Sequence, residues 1–482
     1  MKNLRITFNK FWLYTFFTTG LLFSCKGAGE YQFVPPFAKF DITPFLVVTN
    51  SAESLAFESN ENYNDNLFGL ISPSTISRWS FNWQNQKPSG VNGNLVIIQL
   101  TNSAPSGDFI NHNGRDVFTY LIQSPDSVFN DSRDDNVLLL NQVVTTGQKI
   151  DNFLAVYAID PLSDFVLFAP DSSSPANLAS ATKAYYTLRY WGFPKERVGL
   201  LNGSVQHYGK NGLNSFFTLN SPSARTSGRS NTTRRLLTDN TILQITLGDI
   251  FHILRGGNSQ VEEPSSLPTL GAFFLDGRSA TSFNGTQSST NSSSLHQTCT
   301  TQLGGSCRVN HEGTIKGSSN LDNTSLYNST SLSFHSKATL RSLLNALPYS
   351  DGKVIINFHR DGVTGSINQF ITQNVLGKPS RLYEGGFVQW GALGLRDPQA
   401  LTQPAALWRT DLSNFTDNLT TNVTANVANF GFTTVRQFTR NTNGIRKTDK
   451  EYIRSSLKSQ STGGGGGGAS GPSGGGGNAC GG

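Results

Sequence analysis

The chain has 482 residues, of which 15% are charged, with a formal net charge of +6 and only four cysteines. That length gives room for two domains of ordinary size, and so small a positive excess spread over it excludes nucleic-acid binding as the main task. A surface rich in Ser, Thr, Asn and Gly and poor in charge fits an exported protein.

In chain order, Lys2, Arg5 and Lys10 precede an apolar run from Phe11 to Phe23. The run is too short to span a bilayer and has the form of a secretory signal, assigned to residues 1–24. It ends Leu22-Phe23-Ser24-Cys25, which resembles a bacterial lipobox and implies that Cys25 is acylated. The expected location is therefore the cell envelope, lipid-anchored and facing the periplasm or the cell surface. Lys26 stands where an aspartate would retain a lipoprotein at the inner membrane, so the outer membrane is the expected address. Residues 25–51 are read as the linker from the anchor.

The first domain is assigned to residues 52–215. Phe165–Phe168 reads as a strand, 169–177 as a loop and Ala179–Tyr190 as a helix stopped by Gly192 and Pro194. Val198 to Gly209 aligns with the segment beginning at Ser380 at a constant offset, placing Gly203 on Gly385 and Tyr208 on Trp390, which points to a duplicated module. Residues 216–240 form the connection, and 241–400 the second domain, with a polar insertion at 285–312 read as a long surface loop. Within it, the strand Lys353–Phe358 leads into a short loop and then a helix carrying Ile367, Phe370, Ile371, Val375 and Leu376 after Ser366. Residues 401–462 are an extension whose basic part, Arg436–Lys458, reads as a solvated tail helix. The Gly-rich tail 463–482 has too little apolar surface to fold. Strands alternating with helical patterns predict an α/β protein of two tandem domains, each a mainly parallel sheet flanked by helices.

The most informative segment is the loop His359-Arg360-Asp361-Gly362-Val363-Thr364. A strand that runs through a short loop into a helix converges backbone N–H groups and the helix dipole on one point, an anion cradle. The loop resembles the active-site loop of the rhodanese (thiosulfate sulfurtransferase) family, Cys-Arg-x-Gly-x-Thr/Ala, with His359 in place of the cysteine. Three further segments are similar to family signatures in the same order: Asp276-Gly277-Arg278 for Asp-x-Arg, Gly313 to Asn320 for Gly-His-Ile-Pro-Gly-Ala-x-Asn, and Ser380 to Gly391 for the strand-turn-helix that ends in an aromatic. The first copy looks like the family's degenerate domain, with Lys183-Ala-Tyr-Tyr186 where the family has Arg-Ala-Trp/Tyr-Trp and Gln99-Leu-Thr101 in place of Asp-x-Arg.

The resemblance implies two tandem rhodanese-like domains, with His359, Arg360, Gly362 and Thr364 at the catalytic positions and Asp276 and Arg278 supporting them. It also implies a small sulfur-containing anion as donor, a thiol as acceptor and no cofactor. An imidazole cannot carry a sulfane sulfur, so persulfide catalysis is not expected of His359, which could instead hold an anion as imidazolium. Cys299 and Cys307 flank a Gly-Gly turn and can close a local disulfide in an oxidising compartment, and no metal site is expected. Three readings stand: a sulfurtransferase-like lipoprotein without standard catalysis that binds a sulfur oxyanion, another small anion or a protein partner; an active variant in which Cys480, on the Gly-rich arm, supplies the thiol; and an envelope scaffold.

Overall fold

Unbroken apolar runs rich in β-branched and aromatic residues become central strands, because a parallel sheet covered on both faces has no solvated side. The computed structural model describes residues 46–136, 139–210, 217–218, 231–254, 271–286, 311–392, 419–422 and 442–460. The first half contributes β1 (Gly69–Ile71), β2 (Leu95–Thr101), β3 (Val117–Gln123), the antiparallel pair β4 (Asn130–Asp134) and β5 (Leu139–Val144), then β6 (Phe165–Pro170) and β7 (Val198–Leu201). The order β1-β7-β6-β2-β3 makes a parallel sheet whose middle strands β2 and β6 are buried along their whole length. The second half contributes β8 (Ala272–Asp276), β9 (Ser319–Asn320), β10 (Val354–Phe358) and β11 (Ser380–Leu382), parallel in the order β9-β8-β10-β11.

The described residues are thus mixed α/β, two parallel sheets flanked by helices. Helix α1 (Gly147–Val156) follows β5, α2 (Pro175–Tyr190) joins β6 to β7, and α3 (Gly362–Phe370) follows β10 ahead of β11. The strand-helix-strand unit therefore occurs once in each half, as the aligned segments at Val198 and Ser380 require. Both helices start earlier than their apolar spacing suggested. Pro175 occupies the first turn of α2, where a missing N–H costs nothing, and Asp361 caps α3.

Each half keeps an apolar cluster of its own, around Trp79 and Phe165 in the first and around Phe358 and Trp390 in the second, but the largest is shared. One apolar cluster runs from Leu70, Val96 and Phe168 to Phe273, Ile355 and Leu382. Helices α2 and α3 pack face to face across it, with the rings of Tyr185 and Phe370 edge-on at 4.9 Å and the hydroxyls of Thr182 and Ser366 2.7 Å apart. Two boundaries read as linker are also ordered. Val48–Thr49 pairs in parallel with Thr238–Asp239, so the end of the first linker and the end of the connection satisfy each other's backbone groups.

The solvated tail helix is corrected as well. Helix α4 (Gly444–Gln460) docks on both halves, with Ile445 and Ile453 buried, Arg446 paired with Asp249 of the second half at 3.1 Å and Asp449 paired with Arg133 of the first at 2.7 Å. Its charges do not all point to water, because some of them neutralise partners on the body of the molecule.

Candidate active-site loop

The loop begins where β10 ends, at the centre of its sheet, and its six residues are fixed by what surrounds them. The segment after β11 lies directly on it: the N–H of Phe387 donates to the His359 carbonyl at 2.8 Å, and that of Val388 to the Arg360 carbonyl at 3.0 Å. Gly386 is required at this contact. Its φ is +56°, and a Cβ there would lie 2.5 Å from the Arg360 oxygen. Two of the sequence signatures thus meet in space.

The position an anion would take at the N-terminus of α3 is occupied by the chain itself. Asp361 is extended, and its carboxylate accepts from the Thr364 N–H at 2.8 Å while its carbonyl accepts from Gly365 at 3.1 Å. A capping carboxylate at a helix N-terminus is stabilising for the same reason that a bound anion is.

Arg360 does not lie free over the loop. Its Nη2 donates to Glu312 at 2.6 Å, and Glu312 also accepts from Arg278 at 2.7 Å. Arg278 is held in turn by both oxygens of Asp276, at 3.0 and 2.7 Å, donates to the Gly313 carbonyl, and sits over the Phe387 ring at 3.7 Å. Asp276 accepts a further bond from Thr314 at 2.7 Å. Asp276, Arg278, Glu312 and Arg360 therefore form an alternating chain of charges in which each cation faces a carboxylate. Glu312, the last residue of the stretch read as a surface insertion, is a buried member of the site rather than part of a surface loop.

His359 itself is partly exposed, with its Nδ1 buried and without a hydrogen-bond partner among the described residues. Burial pushes its pKa from 6.5 down to about 4, helped by Arg278 and Arg360 and opposed by Asp361 and Asp276. Without an anion the ring is therefore held in its neutral form at pH 7. Nη1 of Arg360 is the second buried polar atom at the loop with no partner among the described residues.

Beside the loop lies a pair that the sequence did not announce. Lys183, on α2 of the first half, donates from Nζ to Glu384, just after β11, and both side chains are buried. Glu384 also accepts from the Val144 N–H at 2.9 Å and from the Gln244 amide. Burial pushes the Lys183 ammonium down, with Glu384 the first of the groups opposing it. The first half thus reaches the second half's site through Lys183 of α2. Local signals marked Lys183 and Tyr383-Glu384-Gly385 separately, but nothing in their spacing joins them.

The structure brings His359, Arg360, Asp361, Gly362, Val363 and Thr364 together with Asp276 and Arg278 through Glu312. Cys25, Cys299, Cys307 and Cys480 lie outside the described residues. What the loop can do chemically follows: it has no thiol, a neutral imidazole, a cation already paired, and a carboxylate over the helix end.

Fold and loop define an α/β protein with two parallel sheets and a closed strand-loop-helix element at the end of β10. Among solved structures the chain is similar to the Tum1 protein from Saccharomyces cerevisiae, at 17% identity over 67% of this chain and 95% of that one, with a TM-score of 0.47. It is also similar to the 3-mercaptopyruvate sulfotransferase SseA from Escherichia coli, at 13% identity over 66% and 98% with a TM-score of 0.43. A third similarity is to 3-mercaptopyruvate sulfurtransferase from Leishmania major, at 13% identity over 68% and 76% with a TM-score of 0.41. No family model and no curated protein matches the chain.

Proposed function

We propose that the protein is a sulfurtransferase-like lipoprotein of the cell envelope, anchored through Cys25, which has no persulfide chemistry at its loop and binds a small sulfur oxyanion at the His359 and Arg360 side chains rather than on the helix end that Asp361 caps. The observation that carries this reading is the pair of buried, unpartnered polar atoms, His359 Nδ1 and Arg360 Nη1, at the loop where the family's thiol would stand. Buried donors without partners are costly, at about 1–3 kcal/mol each, and an oxyanion offers acceptors to both once the ring takes up a proton. Binding and protonation are then linked. Because the free ring titrates near pH 4, an anion that favours the imidazolium raises that value, and affinity increases as pH falls towards it.

The test is titration of thiosulfate into the purified protein at about pH 5 and about pH 7.5 by calorimetry, with a parallel assay for thiocyanate from thiosulfate and cyanide. Binding that is tighter at the lower pH, lost in Arg360→Met and accompanied by no thiocyanate is the expected result. Thiocyanate formation by the unmodified chain, or no binding at either pH, overturns the reading.

A further inference from the structure

The strand pair β4–β5 leaves the first sheet and lies against the loop of the second half. Gln142, in β5, has a φ of +58°, and a Cβ on Gly362 would come within 3.0 Å of its carbonyl oxygen. Left-handed backbone at a non-glycine residue costs energy, so other contacts must hold it. Some of these contacts are with the loop's own neighbours: Val144 donates its N–H to Glu384 at 2.9 Å, and Gln389 donates to Asp135 just beyond β4. The others come from α4. Arg133 of β4 meets Asp449 in a two-pronged pair at 2.9 and 2.7 Å, and Tyr190 donates to the same carboxylate at 2.8 Å. Arg133 also donates to the carbonyl of Val144, the residue that contacts Glu384, at 3.2 Å. A single guanidinium thus links helix, both strands and, through Val144, the site.

We propose that α4 is a strap: by holding Arg133 it keeps β4–β5 against the His359 loop, and undocking of α4 opens the loop. The inference rests on the reading of this loop as a binding element. Asp449 is the latch because it is the buried carboxylate through which α4 pairs with Arg133, and α2 supplies its second contact through Tyr190. The strap differs from ordinary packing in a definite way. Loosening α4 changes the loop 359–365, and does so through β5.

The experiment is hydrogen exchange on the full chain, comparing the unmodified protein with Asp449→Asn and Ile453→Ala, the second of which weakens α4 by packing alone should the first fail to fold. Exchange faster by about tenfold in both 139–144 and 359–365, with the central strand 165–170 unchanged, is the expected result. Faster exchange confined to α4, or spread evenly through the chain, overturns the strap. A second arm follows thiosulfate affinity in the same variants. Tighter binding by the loosened proteins supports the strap; unchanged affinity alongside tight binding by the unmodified chain removes it. Changed exchange without thiosulfate binding by any variant removes only the anion reading.

Discussion

Removing Lys183 and removing the whole Lys183–Glu384 pair have opposite expected consequences. Lys183 is 0% exposed at its side chain and Glu384 1%, so neither charge can turn to water when its partner is lost. In Lys183→Met the Glu384 carboxylate keeps the Val144 N–H and the Gln244 amide but loses its cation. Breaking one side of a buried pair costs about 3–5 kcal/mol, far above the value of an exposed pair, and Glu384→Gln should cost a similar amount by stranding the ammonium. The double variant leaves no buried charge. Methionine fills most of the lysine volume, and the one glutamine oxygen still accepts from Val144, while its amide N–H can donate to Gln244 once that amide turns its oxygen inward. Its stability should come back to within about 2 kcal/mol of the unmodified protein, a coupling energy of about 4 kcal/mol or more. Urea unfolding followed by tryptophan fluorescence, with four buried reporters in Trp79, Trp83, Trp191 and Trp390, measures all three variants. A double variant whose loss equals the sum of the single losses would falsify the view that these two residues join the halves as one electrostatic unit.

Three further outcomes are expected. Burial raises the Asp449 carboxyl to about 6, so the pH-dependent part of its contribution is complete below about pH 4 and is lost as pH rises through about 6, leaving above that the pair with Arg133; the difference in stability between the unmodified chain and Asp449→Asn, measured against pH, should show that slope and no other. Gly362→Ala places a Cβ within 3.0 Å of both the Gln142 oxygen and the Glu384 Cβ, and should lower stability by about 1–3 kcal/mol in the same urea assay, with an unchanged midpoint counting against the close fit of β5 on the loop. In His359→Cys the thiol should titrate near the ordinary value of about 8.5, because the Asp361 carboxylate offsets the helix end, and should drop by about one unit when Asp361→Ser is added. The pH dependence of iodoacetamide labelling at that peptide reads both values.

The sequence displayed what depends on local chemistry. Uncharged runs such as Val354–Phe358 and Phe165–Pro170 became central strands, and the constant offset between Val198 and Ser380 became two strand-helix-strand units. The loop residues and Asp276 and Arg278 were found together because each carries a short motif. The cap was equally local: Asp361, three residues before Thr364, has the spacing of a helix N-cap, and reading it would have placed a carboxylate at the cradle from the start. The rest depended on folding in three dimensions. Lys183 and Glu384 are 201 residues apart and Arg133 and Asp449 316, and neither pair leaves a periodic signal. The burial of α4 was missed for the same reason, since its charges look solvated until their partners on β4 and near α3's half are known.

The charges around the loop make sense together. With a neutral imidazole at position 359, the cations around it would be buried without a counter-charge, at a cost of several kcal/mol each. This chain supplies carboxylates instead: Asp361 on the helix end, Glu312 on Arg360 and Arg278, and Glu384 on Lys183. A cysteine introduced at position 359 alone therefore meets a site whose field is already cancelled. The order in which reactivity appears tests that account: Asp361→Ser should matter more than any change on the exposed surface, because it removes the carboxylate that caps the helix end.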